Sequence, residues 1–261
     1  LGLQATQDKL LKSIGRIHNF EQFKEAYSLV KEADFTNVNV DLMLGLPNQT
    51  LKDLEESLKE VISLKPTHIS LYSLILEEGT KLEELINSKQ LELPSEEIER
   101  QMYWKTKKIL EENGYIHYEI SNFAKKNYES KHNSNCWNQH EYYGVGVASH
   151  SYINNIRYSN TENLKKYIEH VENNEYNKIK ETHEIQTKDT KAKEYMMLKL
   201  RTLQGIEIKE YKKKFQENPL FVYRKEIEKL TKQDLIEVDL DNIKLTKKGI
   251  DFANEVWEEF V

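Results

Sequence analysis

A histidine, two asparagines, a cysteine and a tryptophan lie within six residues, at positions 132–137. The imidazole of His132 can coordinate a metal or a haem iron through one ring nitrogen. The indole of Trp137 and the phenols of Tyr142 and Tyr143 can stack on a flat ligand. The same pattern also fits an ordinary structure, in which His132 bonds within its own loop and Trp137 anchors a core. Both interpretations stay open on the pattern alone.

A second group of polar residues falls near the ends of predicted strands in the first 75 residues. Gln4 closes the first strand, Arg16 follows it, and Asp41 lies near the end of the second strand. Because ligands bind beyond the carboxyl ends of strands in parallel α/β folds, we expect these three side chains to lie together. An arginine, a carboxylate and an amide predict a cradle for a zwitterionic amino acid and a hydroxylated sugar. Each residue alone is equally typical of a turn or a charged surface.

Cys136 is the only cysteine among 261 residues. An iron–sulfur cluster needs several thiolates, so this chain by itself does not supply a cluster site. The sequence has no set of residues with zinc-ligand spacing, and Gly144-Val145-Gly146 is too short for a dinucleotide fingerprint. A single cysteine also excludes an internal disulfide framework, which favours a reducing cytoplasm as the compartment.

Composition narrows the class of protein further. The hydrophobic fraction is 38%, the charged fraction is 31%, and the net charge is −6. No apolar run approaches the roughly 18 residues that a membrane span needs, so we expect no membrane span. The negative charge argues against a nucleic-acid partner, because phosphate binding requires a clustered basic face. The run at 212–214 is therefore interpreted as a solvated helix face.

Alternating strands and helices predict βαβ units with a parallel sheet in residues 1–120. After the opening strand at residues 1–4, strands are predicted at 37–44, 69–76 and 115–120, and helices at 7–14, 20–33, 51–64, 80–89 and 95–113. Thr50 is the expected N-cap of the helix at 51–64.

Residues 121–186 are expected to form a loop-rich segment, with little periodicity up to residue 160 and a hairpin at Asn154-Asn155. Residues 187–261 predict a small winged-helix-like domain. Its predicted parts are helices at 191–203, 208–215 and 220–232, wing strands at 235–238 and 242–245, and a last helix at 247–260.

Five segments follow one another in an order that resembles a known family. They are residues 1–4, 15–18, 41–50, 118–124 and 132–137. Together they look like the radical S-adenosylmethionine (SAM) proteins of the oxygen-independent coproporphyrinogen III oxidase group, and the most similar branch is that of the HemW-type haem chaperones. The resemblance covers essentially the whole chain.

That resemblance implies an α/β fold and a set of SAM contacts. The fold is the second half of an incomplete β/α (TIM-like) radical SAM barrel, followed by the small winged-helix-like α+β domain. By similarity, Gln4, Arg16, Asp41 and Ile75 match positions that contact SAM. Haem, SAM and, in the complete protein, a [4Fe–4S] cluster are the cofactors that the resemblance implies.

The block at 132–137 resembles a haem-binding motif of the chaperones, which reads His-Asn-x-x-Tyr-Trp. By similarity, His132, Asn133 and Trp137 are the haem residues, and His132 is the candidate axial ligand. Cys136 stands where the motif has tyrosine. The thiol either adds a second iron ligand or removes a hydrogen bond, and this choice stays open.

The main departure from the family is at the front of the chain. Family members bind the cluster through three closely spaced cysteines near the N-terminus, and those cysteines and a Gly-rich SAM-binding segment are missing here. We therefore expect the cluster-bearing half of the barrel to be absent, so that reductive SAM cleavage is beyond this chain and its status as an enzyme is open. The first strand would then expose an unpaired edge, which favours aggregation or a homodimer.

Three functions fit these observations. The first is a haem chaperone that delivers haem to recipient proteins. The second is an oxygen-independent coproporphyrinogen III oxidase of porphyrin biosynthesis, in which a SAM-derived radical starts the oxidative decarboxylation of propionates. The third is a scaffold with a winged-helix tail that binds nucleic acid or a protein. The block at 132–137 favours the chaperone, because the resemblance links it to haem.

Overall fold

A five-stranded mixed sheet organises the first unit, Leu1–Glu129, of the computed structural model, which describes residues 1–260. In chain order its elements are β1 (Gly2–Gln4), α1 (Asp8–Ser13), α2 (Phe20–Glu32), β2 (Asn39–Leu44), α3 (Leu51–Leu64), β3 (His68–Ser73), α4 (Lys81–Asn87), α5 (Glu96–Glu112), β4 (Ile116–Glu119) and β5 (Asn122–Ala124). The strands lie in the order β1-β2-β3-β5-β4.

The predicted parallel sheet is confirmed for β1, β2 and β3, which pair in parallel. It is wrong for the last two strands, because β5 runs antiparallel to both β3 and β4. The sequence interpretation missed β5, since a strand of three residues is too short to show a period of two. Among the described residues β1 pairs only with β2, so it is an edge strand.

One face of β2 is apolar and the other is polar. Val40, Leu42 and Leu44 alternate along the strand and are completely buried, whereas the residues between them are partly exposed. Complete burial of each such side chain stabilises the folded state by about 1.5–3 kcal/mol. Helix α5 packs against both β2 and α3. The sheet therefore has one side covered by a helix and one polar side.

The predicted N-cap of α3 is confirmed at Thr50. The Thr50 hydroxyl accepts a hydrogen bond from the backbone N–H of Asp53 at 3.1 Å, and the Asp53 carboxylate accepts one from the backbone N–H of Thr50 at 2.9 Å. These reciprocal bonds satisfy donors that a helix start leaves unpaired. They fix the start of α3 one residue after the turn that leaves β2.

The second unit begins at Ser130. Its elements in chain order are α6 (Lys131–Trp137), β6 (His150–Ile153), β7 (Ile156–Asn160), α7 (Leu164–Glu172), a 3-10 helix (Tyr176–Ile179), β8 (Lys180–Ile185), α8 (Lys188–Lys199), β9 (Ile206–Glu207), α9 (Ile208–Phe215), α10 (Pro219–Val222), α11 (Arg224–Lys232), β10 (Ile236–Val238), β11 (Asn242–Leu245), α12 (Lys247–Asp251) and α13 (Ala253–Glu258). Two antiparallel sheets form, β6-β7-β8 and β10-β11-β9.

The expectation of a long irregular stretch at 121–160 is wrong. That stretch contains β5, the helix α6 and the β6–β7 hairpin. These elements are three to seven residues long and rich in polar residues, so their hydrophobic period is too short to stand out. The hairpin itself is confirmed, because Asn154 and Asn155 occupy its turn with φ of 51° and 62°.

The C-terminal part combines confirmed and corrected predictions. Helix α9 and strand β11 have the predicted bounds, and the two wing strands pair as a hairpin joined by β9. The helix predicted at 220–232 is instead two helices divided at Tyr223, where ψ is 34°. The last helix is divided at Phe252 in the same way. Within residues 1–260, no helix is both long and apolar enough to cross a membrane.

Candidate functional site

The polar face of the first sheet carries one row of residues, with one residue from each strand. Register pairs Gly2 with Asp41, Asp41 with Ser70, Ser70 with Asn122, and Asn122 with Glu119. Paired residues on neighbouring strands lie on the same face of a sheet. We call these five residues the polar row. Two carboxylates, a hydroxyl and an amide thus lie side by side on this face, and those of Ser70, Asn122 and Glu119 are buried. The local sequence does not predict this row.

Two of the four predicted SAM residues converge on this row. A Cβ atom built on Gly2 would lie 2.9 Å from Gln4 Nε2 and 3.9 Å from Asp41 Oδ2, so both side chains occupy the space above the glycine. Gln4 is 7% exposed and has a φ of 71°. Its Oε1 atom is buried and has no hydrogen-bond partner among the described residues. A buried acceptor without a donor is costly, so this site fits a ligand that brings N–H or O–H groups.

The other two predicted SAM residues stand apart from that contact. Arg16 is exposed in the turn after α1, where its backbone N–H donates to the carbonyl of Leu11 at 2.9 Å. Ile75 is 73% exposed and follows β3 by two residues. Arg16 follows helix α1 and not a strand end, whereas Ile75 lies just beyond the end of β3. Their contact with SAM stays a prediction from the resemblance.

A buried histidine lies beside Asp41, and sequence reasoning missed it. Asn39 donates from Nδ2 to Asp41 Oδ1 at 2.7 Å, and its Oδ1 atom is 2.7 Å from His68 Nδ1. The other ring nitrogen of His68 is 2.8 Å from the hydroxyl of Tyr118. Burial lowers the pKa of His68, and the charges of Asp41 and Glu129 offset this in part. The neutral imidazole therefore orients Asn39, which in turn fixes the Asp41 carboxylate.

The far end of the polar row is a buried carboxylate. Glu119 is completely buried, and its Oε1 atom accepts hydrogen bonds from the backbone N–H of Ser121 at 3.2 Å and from the side-chain amide of Asn122. Because the Asn122 amide nitrogen faces this carboxylate, its Oδ1 atom faces away, buried and without a partner among the described residues. Asn122 in the polar row and Gln4 beside Gly2 thus each carry a buried acceptor without a partner among the described residues.

The haem residues predicted from the resemblance lie on α6, in the second unit. The hydroxyl of Ser130 accepts from the backbone N–H of Asn133 at 3.2 Å and caps the helix. His132 is exposed, its Nε2 atom is 3.9 Å from Cys136 Sγ, and its ring meets that of Tyr142 edge-on with centroids 6.4 Å apart. His132 and Cys136 are four residues apart, so they lie on one face of the helix. The imidazole is therefore accessible to a ligand.

Asn133 and Trp137 are also four residues apart, but they lie on a different face of α6. The guanidinium of Arg201 lies 4.7 Å from the Trp137 ring and 4.5 Å from the ring of Trp257. Trp137 Nε1 is buried and has no partner among the described residues. The structure therefore brings His132 and Cys136 together, and it places Trp137 in a cation–π stack instead.

Cys136 is half-buried beside the candidate ligand. Burial raises the pKa of its thiol, and the nearby guanidinium of Arg157 offsets this in part. Because the thiolate is the form that binds metals, the neutral thiol is the weaker candidate beside His132. Among residues 1–260, no group of three or more His, Cys, Asp or Glu side chains is arranged to hold a metal ion. With one cysteine, the residues of this chain do not fit a [4Fe–4S] cluster.

Two family models match separate parts of the chain. The model described as the radical SAM superfamily matches residues 1–61, and the model described as the HemN C-terminal domain matches residues 186–252. The first covers β1, β2 and most of α3, and the second covers the helices and strands from α8 to α12.

Several curated relatives match along the whole chain. The heme chaperone HemW of Lactococcus lactis subsp. lactis (strain IL1403) is 36% identical over 261 residues, which are 100% of this chain and 68% of the relative. The heme chaperone HemW of Bacillus subtilis (strain 168) is 35% identical over 260 residues, with the same two shares. The heme chaperone HemW of Haemophilus influenzae is 30% identical and is covered to 66%.

A solved structure of coproporphyrinogen III oxidase (HemN) from Escherichia coli, described as a radical SAM enzyme, superposes with a TM-score of 0.79. The match covers 99% of this chain and 62% of that chain, at 19% sequence identity. At this identity the likeness shows the fold alone. The predicted fold class, part of a radical SAM barrel followed by a small C-terminal domain, is thereby confirmed.

Proposed function

This chain belongs to the HemW family of haem chaperones, and from that premise we propose that it binds haem at His132 and passes the haem to recipient proteins. The observation that carries this proposal is the exposed imidazole of His132 on a capped helix, beside the ring of Tyr142. A neutral imidazole with one free nitrogen is a common axial ligand of haem iron.

The surroundings of His132 support an apolar ligand. Tyr143, Val145 and Val147 are exposed on the loop that follows Tyr142, and Val145 is 89% exposed. Exposed apolar side chains that are grouped together mark a binding surface more often than scattered ones do. A porphyrin held at His132 would cover part of this loop, which offers a reason for apolar residues in a solvent-facing position.

For SAM, we propose that Gln4 and Asp41 hold the ligand, with Arg16 and Ile75 as further contacts from the resemblance. The unsatisfied Gln4 Oε1 atom supports a donor-bearing ligand, because SAM carries ammonium, amino and hydroxyl groups. When bound in a radical SAM protein, SAM supplies a radical after one-electron reduction by the cluster. The role proposed for this chain is to bind and orient SAM.

The proposal includes a compartment and an oligomer. A single cysteine fits a reducing compartment, so we place the protein in the cytoplasm. The unpaired side of β1 supports a homodimer formed through that edge. Sedimentation of the full chain at two concentrations tests the dimer.

Haem titration of the full chain tests the main proposal. Haem that binds through an imidazole shifts its Soret band, and we expect this shift to be lost in His132→Ala. The matched control is His140→Ala, because His140 is an exposed histidine that lies after the same helix. A Soret shift that survives in His132→Ala, or one that His140→Ala abolishes equally, would contradict the assignment of His132.

Transfer to recipients is tested separately. Haem-loaded chain is mixed with an apo-haemoprotein, and the spectrum of the recipient is followed with time. Faster appearance of the holoprotein than with free haem at the same concentration supports chaperone function. If the chain withholds haem from every recipient tested, haem storage replaces delivery as the function.

A further inference from the structure

Three lysines surround the end of α6, just beyond Trp137. Lys199 Nζ donates to Asn138 Oδ1 at 3.0 Å, and Lys214 Nζ donates to the backbone carbonyl of the same residue at 3.1 Å. Lys191 is close enough to repel the charge of Lys214. We call Lys191, Lys199 and Lys214 the lysine cluster. Lys199 on α8 and Lys214 on α9 both contact Asn138, whereas Lys191, also on α8, donates from Nζ to Asn155 Oδ1 at 2.8 Å.

The ammonium of Lys199 is buried with a neutral partner. Lys199 is 6% exposed, and its recorded side-chain hydrogen bond is to an amide oxygen. Across residues 1–260, no carboxylate lies within salt-bridge distance of this ammonium. Buried charges are normally paired, because desolvating an ion is costly. The carbonyl groups at the end of α6 compensate a nearby cation only in part.

The carboxylates that face the lysine cluster are few and already engaged. Glu194 accepts from Arg157 at 2.6 Å and from the side-chain amide of Gln139 at 2.9 Å. Glu210 also faces Lys214. Despite both carboxylates, the pKa of Lys214 is lowered to about 8, by burial first and then by repulsion from the other two lysines. Among the described residues Lys199 therefore lacks the paired carboxylate that its burial requires, and the Nζ atom of Lys214 lies 4.6 Å from the centre of the Tyr195 ring.

We infer that the lysine cluster is a carboxylate-binding site for the propionate groups of a porphyrin held at His132, an inference that rests on the proposed function. Contacts connect the cluster with the surroundings of His132. The guanidinium of Arg157 lies close enough to act on the charges of Cys136 and Tyr142, and it pairs with Glu194, which also faces Lys214. Lys214 remains accessible to solvent and meets the carboxylate, and the buried Lys199 adds its charge through their shared partner Asn138.

A purely structural role makes a different prediction. If Lys199 and Lys214 only hold Asn138 and the end of α6, their charge matters for the position of the helix and not for the ligand. Loss of a lysine would then affect every porphyrin equally, whether or not it carries free carboxylates. The two roles are separated by comparing haem with its dimethyl ester, in which both propionates are neutral.

The experiment titrates the full chain with haem and with haem dimethyl ester in one detergent buffer, and follows the Soret band. We expect the wild type to bind haem about tenfold more tightly than the ester, because a charge-assisted contact is lost with the ester. Lys214→Gln keeps an N–H donor but removes the charge. We therefore expect its affinity for haem to be about tenfold lower than that of the wild type, and its affinity for the ester to be the same. Lys213→Gln, on the same helix, should change neither affinity.

Equal affinity of the wild type for haem and for its dimethyl ester would overturn the inference. An equal loss of affinity for both ligands in Lys214→Gln would overturn it as well. Failure of the proposed function has a separate signature. In that case the wild type shows no Soret shift with either ligand, or His132→Ala shows the same shift as the wild type. Either result would contradict the haem site and the propionate site together.

Discussion

The imidazole of His117 stacks flat on the phenyl ring of Phe123, with centroids 4.4 Å apart and planes inclined by 14°. The ring lies on the helix-covered face of the first sheet, and its Nε2 atom is 3.3 Å from the hydroxyl of Tyr103. Burial lowers the pKa of His117 to about 4. The fold therefore holds this histidine neutral at a pH where an unfolded chain would protonate it.

We predict that His117 makes the first unit sensitive to acid. Between about pH 6.5 and pH 4 the unfolded chain binds a proton that the folded chain does not, so the free energy of unfolding falls as the pH falls. The full difference between the two pKa values corresponds to about 3 kcal/mol. In His117→Phe the part of this loss that His117 causes should disappear, as measured by urea unfolding at several pH values, while the buried His68 keeps a remaining pH dependence. The matched control is His183→Phe, at an exposed histidine, which should keep the wild-type pH dependence. If the free energy of unfolding of His117→Phe depends on pH as strongly as that of the wild type, His117 is not the acid-sensitive group.

The polar row predicts a SAM-type binding site that is measurable without a cluster. Asp41→Asn removes a carboxylate that faces donor groups, so we expect S-adenosylhomocysteine to bind about tenfold more weakly in a calorimetric titration. Gln4→Ala should weaken it in the same direction. Glu25→Gln, on the exposed side of α2, is the matched control and should bind like the wild type. Equal affinities in all four proteins would refute the assignment of Gln4 and Asp41 to a SAM-binding site.

Gly205 is expected to tolerate no side chain. Its φ is 71°, and an added Cβ atom would lie 2.2 Å from the carbonyl oxygen of Ile243. Gly79 has a similar φ of 76°, but nothing lies within 4 Å of its Cβ position. We expect Gly79→Ala to cost about 1 kcal/mol for the left-handed backbone, and Gly205→Ala to cost about 3 kcal/mol or more. Thermal unfolding measures both; similar losses would mean that the clash is relieved.

The stack of Arg201 between two indoles should stabilise the second unit. Arg201→Gln removes the cation from Trp137 and Trp257, and we expect a loss of about 1–3 kcal/mol in the free energy of unfolding. Urea unfolding followed by tryptophan fluorescence measures it. Arg224→Gln removes an exposed helical ion pair to Glu228 and should change the free energy of unfolding far less, because solvent screens exposed ion pairs. If both variants lose the same amount, the stack contributes no more than a surface ion pair.

Long periodic elements were predictable from the sequence because each carries its own signals. Helix α3 has the predicted bounds 51–64, since a complete apolar stripe follows an N-cap at Thr50. Helix α9 also has the predicted bounds 208–215, because its buried residues Ile208, Tyr211 and Phe215 recur at helical spacing. The short elements β5 and α6 were not predictable, because three to seven residues contain too little of a period.

The predicted strand ends indicated part of one candidate site, and the resemblance supplied its ligand. Gln4 and Asp41 were expected on one side of the sheet, and they do converge above Gly2. The polar row also contains Asn122 and Glu119, which reach Asp41 through strand registers that join distant parts of the chain. The lysine cluster depends on contacts such as Lys199 to Asn138, across 61 positions. Local patterns do not encode such pairings.

Helix α6 has seven residues, and its two faces have different surroundings. His132 is exposed with the half-buried Cys136 beside it, whereas Trp137 stacks with Arg201. Haem binding at His132, as proposed above, would act on the same seven-residue helix that carries Trp137 into its contact with Arg201. We therefore expect the fluorescence of Trp137 to change when the chain takes up haem.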